Sequence, residues 1–137
     1  MIKLEQIDIS GDVGLRVRGN SLEELFEMAA AGMTALITDP LSIKETEQRE
    51  ISLAVETYEN TLVQWLNELI FLFDTYGFTG RAFHVNFQNN RLRASVRGGI
   101  FDPGRDAQKL LIKAATYHNL TIGKIDSHWE ATVIFDI

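Results

Sequence analysis

Apolar and polar positions alternate, or recur at helical spacing, along nearly the whole chain, and these runs predict its elements. Residues 2–9 read as a first strand whose apolar phase shifts between Leu4 and Ile7, so a bulge or bend is expected there. A turn at Gly11-Asp12 leads into a half-buried strand, in which Val13, Leu15 and Val17 alternate with Gly14, Arg16 and Arg18. Gly19-Asn20 closes it. Ser21 and Glu24 then form an S-x-x-E capping box, after which Leu22, Leu25, Phe26, Ala29, Met33 and Leu36 recur at helical spacing as far as Asp39-Pro40. Glu23, Glu24 and Glu27 suit the positive end of that helix.

Residues 42–57 read as strand in two pieces, polar over 45–50 and cleanly alternating at Ile51, Leu53 and Val55. A second helix spans 59–76, with Leu62, Trp65, Leu66, Leu69, Leu72, Phe73 and Tyr76 on one broad face and Gly77 as its C-cap. Phe83, Val85 and Phe87 mark one strand and Leu92, Ala94 and Val96 the next. They are joined by a turn at 88–91 in which Asn89 and Asn90 tolerate positive φ. Gly98-Gly99 and Asp102-Pro103-Gly104 mark a longer loop, and 106–111 reads as a short helical turn. Strands over 117–125 and 129–137, joined at Asp126-Ser127, complete the chain. Hairpins dominate these connections. The expectation is a single α+β domain over 1–137, with a mostly antiparallel sheet and two main helices packed on one face.

Composition narrows the chemistry. The chain of 137 residues carries a formal net charge of −6 and no cysteine. Disulfides, thiolate metal sites and a cysteine nucleophile are excluded, and any metal must be held by oxygen or imidazole. The acidic balance disfavours RNA binding through bulk charge. The N-terminal residues lack the apolar run of a signal peptide, and the most apolar stretch, 62–73, is interrupted by Gln64, Asn67 and Glu68. The expected location is the cytoplasm.

Few side chains suggest a site. His84 lies opposite the apolar phase of its strand and His128 in a turn, which makes both surface histidines. His118, within the dense run Lys113-Ala114-Ala115-Thr116-Tyr117-His118, reads as a hydrogen-bonding strut ahead of a functional side chain. Arg91, Arg93, Ser95 and Arg97 share a strand face, and His84, Asn86 and Gln88 share the matching face of its hairpin partner. A solvated sheet face accounts for this strip; the sharper reading is a docking surface for an acidic partner or RNA, although no aromatic residue interleaves. The glycine pairs do not lead into a helix as a phosphate loop would, and no Walker lysine follows them. Trp65 and Trp129 fall on apolar faces and read as core.

The last strand is more informative. Trp129, Ala131, Val133, Phe135 and Ile137 alternate with Glu130, Thr132, Ile134 and Asp136, so the apolar phase reaches the final residue and the chain end is expected to be ordered. That sets the Ile137 carboxylate beside Asp136. Two like charges about 4–5 Å apart repel by roughly 1 kcal/mol in water, and a cation reverses the sign. Asp12 adds a further carboxylate in a tight turn, and oxygen-only ligation suits Ca²⁺ or Mg²⁺ over Zn²⁺. On spacing alone, a solvated chain end and an Asx turn at Asp12 stand ahead of a cation site.

Several segments resemble the archease family. Ser10-Gly11-Asp12-Val13-Gly14-Leu15 is similar to its H-T-A-D-[IV]-G-[IL] motif, and residues 22–30 followed by Met33 to its L-E-E-L-F-x-x-A-A-x-x-M helix. Trp65-Leu66-Asn67-Glu68-Leu69-Ile70 resembles W-L-N-E-L-[IL], residues 112–118 resemble I-K-A-V-T-Y-H, and Val133-Ile134-Phe135-Asp136-Ile137 resembles the terminal V-[IV]-x-D-[IV]. These segments occur in the family's order and span the chain.

The resemblance implies an α+β fold related to the strand-helix-strand-strand module. It also implies a protein cofactor, not an enzyme, which activates the RNA-splicing ligase RtcB. Such a cofactor promotes guanylylation of the ligase and its multiple turnover in tRNA splicing, and broadens the nucleotides it accepts. By the same resemblance Asp12, Asp136 and Ile137 hold a divalent cation, with Ca²⁺ favoured and Mg²⁺ or Mn²⁺ as alternatives. Lys113, Thr116, Tyr117 and His118 would face the ligase, and RNA would be met only through it. The family's histidine is Ile9 here and its threonine Ser10. The rival reading is a metal-dependent hydrolase acting on nucleotides or RNA, with His118 as base. A third is a non-catalytic module that docks a protein through the arginine strip.

Overall fold

The computed structural model describes residues 4–9 and 11–137, with side chains described from Gly11 onward. Residues 2–3 of the first expected strand, and Ser10 of the first motif, lie outside the described residues. The elements in chain order are β1 (Leu4–Ile9), β2 (Asp12–Gly19), α1 (Leu22–Ile37), a 3₁₀ turn (Pro40–Ser42), β3 (Glu47–Ala54) and α2 (Tyr58–Tyr76). They continue as β4 (Phe78–Gln88), β5 (Arg91–Ile100), β6 (Ala114–Ala115), β7 (Thr121–Ile125) and β8 (His128–Asp136).

The helices begin and end as local chemistry dictates. Ser21 Oγ accepts from the Glu24 amide at 3.1 Å, and the Glu24 carboxylate reaches back to the Asn20 amide at 2.7 Å. Thr57 caps α2 in the same way, accepting from the Asn60 amide at 3.1 Å. Gly77, at φ 71°, ends α2 in the left-handed conformation, from which its N–H reaches the carbonyls of Leu72 and Phe73. Asn89 and Asn90, at φ 54° and 59°, make the β4–β5 hairpin turn as their side chains allow.

All strand pairings are antiparallel, and the α+β class is as expected. The strands divide between two sheets. One runs β1-β2-β8, with β6 and β7 both paired to the far edge of β8; the other runs β3-β5-β4. Helix α1 packs on both, through β2 and β4. The core beneath it joins Val13, Leu15 and Val17 of β2, Val133 and Phe135 of β8, and Val85, Leu92 and Val96 of the second sheet to Phe26 and Trp65. The indole of Trp65 is fully buried and donates to the Phe26 carbonyl at 3.0 Å, which satisfies its one polar atom.

Several boundaries differ from the sequence reading. The β1–β2 register runs unbroken from Leu4 to Ile9, with no bulge; the irregularity lies instead between Gly80 and Ala82 in the β4–β5 pair. Residues 106–111 form no helix, because the amides of Lys109 and Leu110 donate to the Ile37 and Leu36 carbonyls of α1, each at 3.0 Å. The turn lies earlier, where the amides of Arg105 and Asp106 close on the Asp102 carbonyl at 3.0 and 2.7 Å. The strand expected over 117–125 begins only at Thr121, after a turn through Asn119 at φ 50°. The two-piece strand over 42–57 is one strand from Glu47, preceded by the 3₁₀ turn. Tyr76 is exposed at the end of α2, its ring set against Phe71, and Trp129 is only half-buried, edge-on to Tyr58.

Candidate cation site

Asp12 opens β2 directly after the hairpin turn, where Gly11 takes φ 77°. Asp136 closes β8. The β2–β8 register sets the two directly opposite each other, and antiparallel partners on one face have Cβ atoms about 4.5–5.5 Å apart. The same row continues across the sheet, from Ile9 on β1 through Asp12 and Asp136 to Ala114 on β6. Ile9, which stands where the motif resembled by this segment has histidine, thus pairs with Asp12 in register.

Like charges directly opposite in a sheet are destabilising. Among the described residues, neither the Asp12 nor the Asp136 carboxylate has a hydrogen-bond or ion-pair partner. Asp12 is half-buried and Asp136 exposed. Ile137 follows directly on Asp136 and is 40% exposed, so its side chain is not core as the strand phase had predicted. Ile134, counted with the polar phase, is buried instead. No three Asp, Glu or His side chains converge among the described residues, so Asp12 and Asp136 would need main-chain oxygen, such as that of the adjacent Ile137, to complete a cation site. This oxygen-only donor set fits a hard divalent cation.

The segment 113–118 brackets the end of β8. The Lys113 amide donates to the Asp136 carbonyl at 2.8 Å, and the amide and hydroxyl of Thr116 both donate to the Ile134 carbonyl, at 3.0 and 2.8 Å. Thr116 is half-buried in this clamp, while Lys113, Tyr117 and His118 are exposed. Tyr117 accepts from the Asn60 side chain at 2.7 Å. His118, read as a hydrogen-bonding strut, is exposed and its ring makes a local contact, with Nε2 3.3 Å from the side-chain nitrogen of its neighbour Asn119. Sequence reasoning passed over Asn67, whose side chain accepts from the Ala115 amide at 2.8 Å and donates to the Ala115 carbonyl at 3.2 Å. The available signal was a polar residue interrupting the apolar run of α2.

The other candidates lie elsewhere. His84 is 82% exposed at its side chain, 4.0 Å from Glu27. His128 Nε2 lies 3.0 Å from a Glu130 oxygen that Arg18 also reaches at 3.1 Å. Hydrogen bonding to His128 first, and then to Arg18, holds the Glu130 carboxyl below the ordinary range against the effect of burial. The arginine strip does share a face, with Arg91 opposite Gln88, Arg93 opposite Asn86 and Ser95 opposite His84. Its charge is partly met: Arg97 lies 3.4 Å from Glu45, and Arg91 donates to Ser52 at 3.0 Å.

Comparison with known proteins places the chain among its relatives. A model of the Archease protein family (MTH1598/TM1083) matches residues 4–137. Protein archease of Sulfurisphaera tokodaii is 30% identical over the whole of both chains. Protein archease of Methanosarcina barkeri is 34% identical, over 97% of this chain and 94% of its own. The solution structure of a Methanobacterium thermoautotrophicum protein superposes with a TM-score of 0.82, at 28% identity and 98% coverage of each chain.

Proposed function

The chain belongs to the archease family, and on that premise we propose that it is a protein cofactor of an RtcB-type RNA ligase and not itself an enzyme. In this reading it promotes guanylylation and multiple turnover of the ligase in tRNA splicing, and broadens its nucleotide use. It does so in the cytoplasm; no described helix is long and apolar enough to cross a membrane. The single observation that carries the reading is the opposition of Asp12 and Asp136, at the end of a strand whose next residue is Ile137.

Asp12, Asp136 and the Ile137 carboxylate would hold a divalent cation, with Ca²⁺ favoured over Mg²⁺ or Mn²⁺ because all the donors are oxygen. Once bound, a divalent cation supplies positive charge that offsets the negative charge developing in phosphoryl transfer. The chain's own residues supply placement. Asp12 opens β2 and Asp136 closes β8, with Asp136 exposed, so that another protein's nucleotide site could close over them. Lys113, Tyr117 and His118, exposed near the end of β8, would contact the ligase, and Thr116 would hold their segment on β8.

The test adds several residues after Ile137 and, separately, replaces Asp136→Asn, then measures ligase turnover with GTP and RNA ends. Both changes are expected to abolish stimulation. Undiminished stimulation by either protein sinks the reading, and turnover of nucleotide or RNA by the purified chain without ligase would favour the hydrolase.

A further inference from the structure

The side chain of Asn67 treats Ala115 as a neighbouring strand would. One amide accepts the Ala115 N–H at 2.8 Å and donates to the Ala115 carbonyl at 3.2 Å, so both main-chain groups of one residue are met by a single side chain. This matters because β6 is only two residues long. Its other edge pairs with β8, Ala114 opposite Asp136 and Ala115 opposite Phe135. The segment before it has no regular structure of its own, and residues 118–119 turn away after it. A two-residue strand orders too little backbone to hold its place on pairing alone. Asn67 lies on α2, which Trp65 fastens to α1 from two positions away. The hydrogen-bonded path therefore runs from a buried helix, through Asn67 and β6, to Asp136.

From this we infer that Asn67 is a positioning residue for the cation site, fixing β6 against the end of β8 so that Asp136, which the β2–β8 register sets opposite Asp12, is held still there. The inference rests on the cation reading above and extends it to a residue outside the donor set. It also assigns a role to the asparagine of the W-L-N-E-L segment. Partners one shell beyond a metal's ligands typically change its affinity by about 10–100-fold when removed.

The experiment uses the full chain and Ca²⁺ alone, with Asn67→Ala, the isosteric Asn67→Asp, and Gln64→Ala as control. Among the described residues, the Gln64 side chain bonds only to Asn60, on the exposed side of α2. Calorimetric titration gives Ca²⁺ affinity, and amide hydrogen exchange of cation-free protein reports Lys113 and Thr116, whose N–H groups are donated to β8. Asn67→Ala is expected to weaken Ca²⁺ binding about 10-fold or more and to lose protection at those two amides, while the α1 amides stay protected. Asn67→Asp keeps the acceptor but sets an oxygen against the Ala115 carbonyl, and is expected to show the same losses should Asn67→Ala fail to fold. Gln64→Ala is expected to match the wild type. If the wild type binds Ca²⁺ and folded Asn67 variants bind it equally, or keep Lys113 and Thr116 protected, the positioning role is overturned and the cation reading stands. If the wild type itself takes up no Ca²⁺, the cation reading falls and takes this inference with it.

Discussion

A carboxylate taken out of water needs its charge met by donors, and Asp106 has them. Its side chain is fully buried, with Ser42 Oγ at 2.7 Å, the Asp102 amide at 2.8 Å, and Nε and a terminal nitrogen of Arg105 both at 3.0 Å. The Arg105 hydrogen bonds first, and then the Asp102 amide, hold this carboxyl well below the usual range for aspartate. A depressed folded-state pKa stabilises the fold above the unfolded value of about 3.9, and that contribution is lost as pH falls toward the folded one. Asp106→Asn is therefore expected to be less stable than the wild type at pH 7, with the gap closing below about pH 4. Urea midpoints at pH 7, 4 and 3 check this, and a gap of constant size would refute it. The loop thus pinned passes directly into the segment that carries Lys113 and Thr116.

At the scale of elements, the β4–β5 pair depends on one close approach. A Cβ at Gly98 would lie well inside contact distance of the Thr79 carbonyl oxygen, beside the irregularity between Gly80 and Ala82. Backbone cannot swing away as a side-chain tip can. Gly98→Ala is expected to cost about 1–3 kcal/mol, read as a lower urea midpoint at unchanged slope. Gly123 on β7 has nothing within 4 Å of such a Cβ and no positive φ, so Gly123→Ala is the contrasting case, expected to be near neutral. Equal losses for the two would show that the Thr79 contact is not the cause. The same pairing aims Arg91, Arg93 and Arg97 outward, away from Leu92, Ala94 and Val96, so the basic strip is the solvent side of a packed sheet.

At the scale of the molecule, the candidate site is where the β1–β2 hairpin, the end of β8 and β6 meet. A ligand that binds the folded form alone stabilises it by about 2.7 kcal/mol at 100 times its dissociation constant. Ca²⁺ is accordingly expected to raise the thermal midpoint of the wild type and to leave Asp12→Asn and Asp136→Asn unmoved. Without cation those variants are expected to equal or exceed the wild type by about 0.2–1 kcal/mol, because each relieves a like-charge pair directly opposite in the sheet. Variants that are less stable without Ca²⁺ yet still shifted by it would count against the pairing of these two carboxylates as a cation site.

What the sequence determined by itself was local. The helix cap at Ser21, the Gly77 stop, the Asn89-Asn90 turn and the apolar faces of β2, β5 and α2 depend on neighbours a few residues away, and so can be read along the chain. Asp12 and Asp136 were each marked by position and by likeness to family motifs. Tertiary structure decided everything that joins residues far apart: the division of strands into two sheets, the register that sets Asp12 opposite Asp136, and the short β6 where a helical turn was expected nearby. The amides of Lys109 and Leu110 show why, since they could have bonded within a turn but were taken by the end of α1. Asn67 looked like a blemish in an apolar helix until its partner, Ala115, was in place beside it. A side chain that bonds to the backbone of another element carries no pattern along its own.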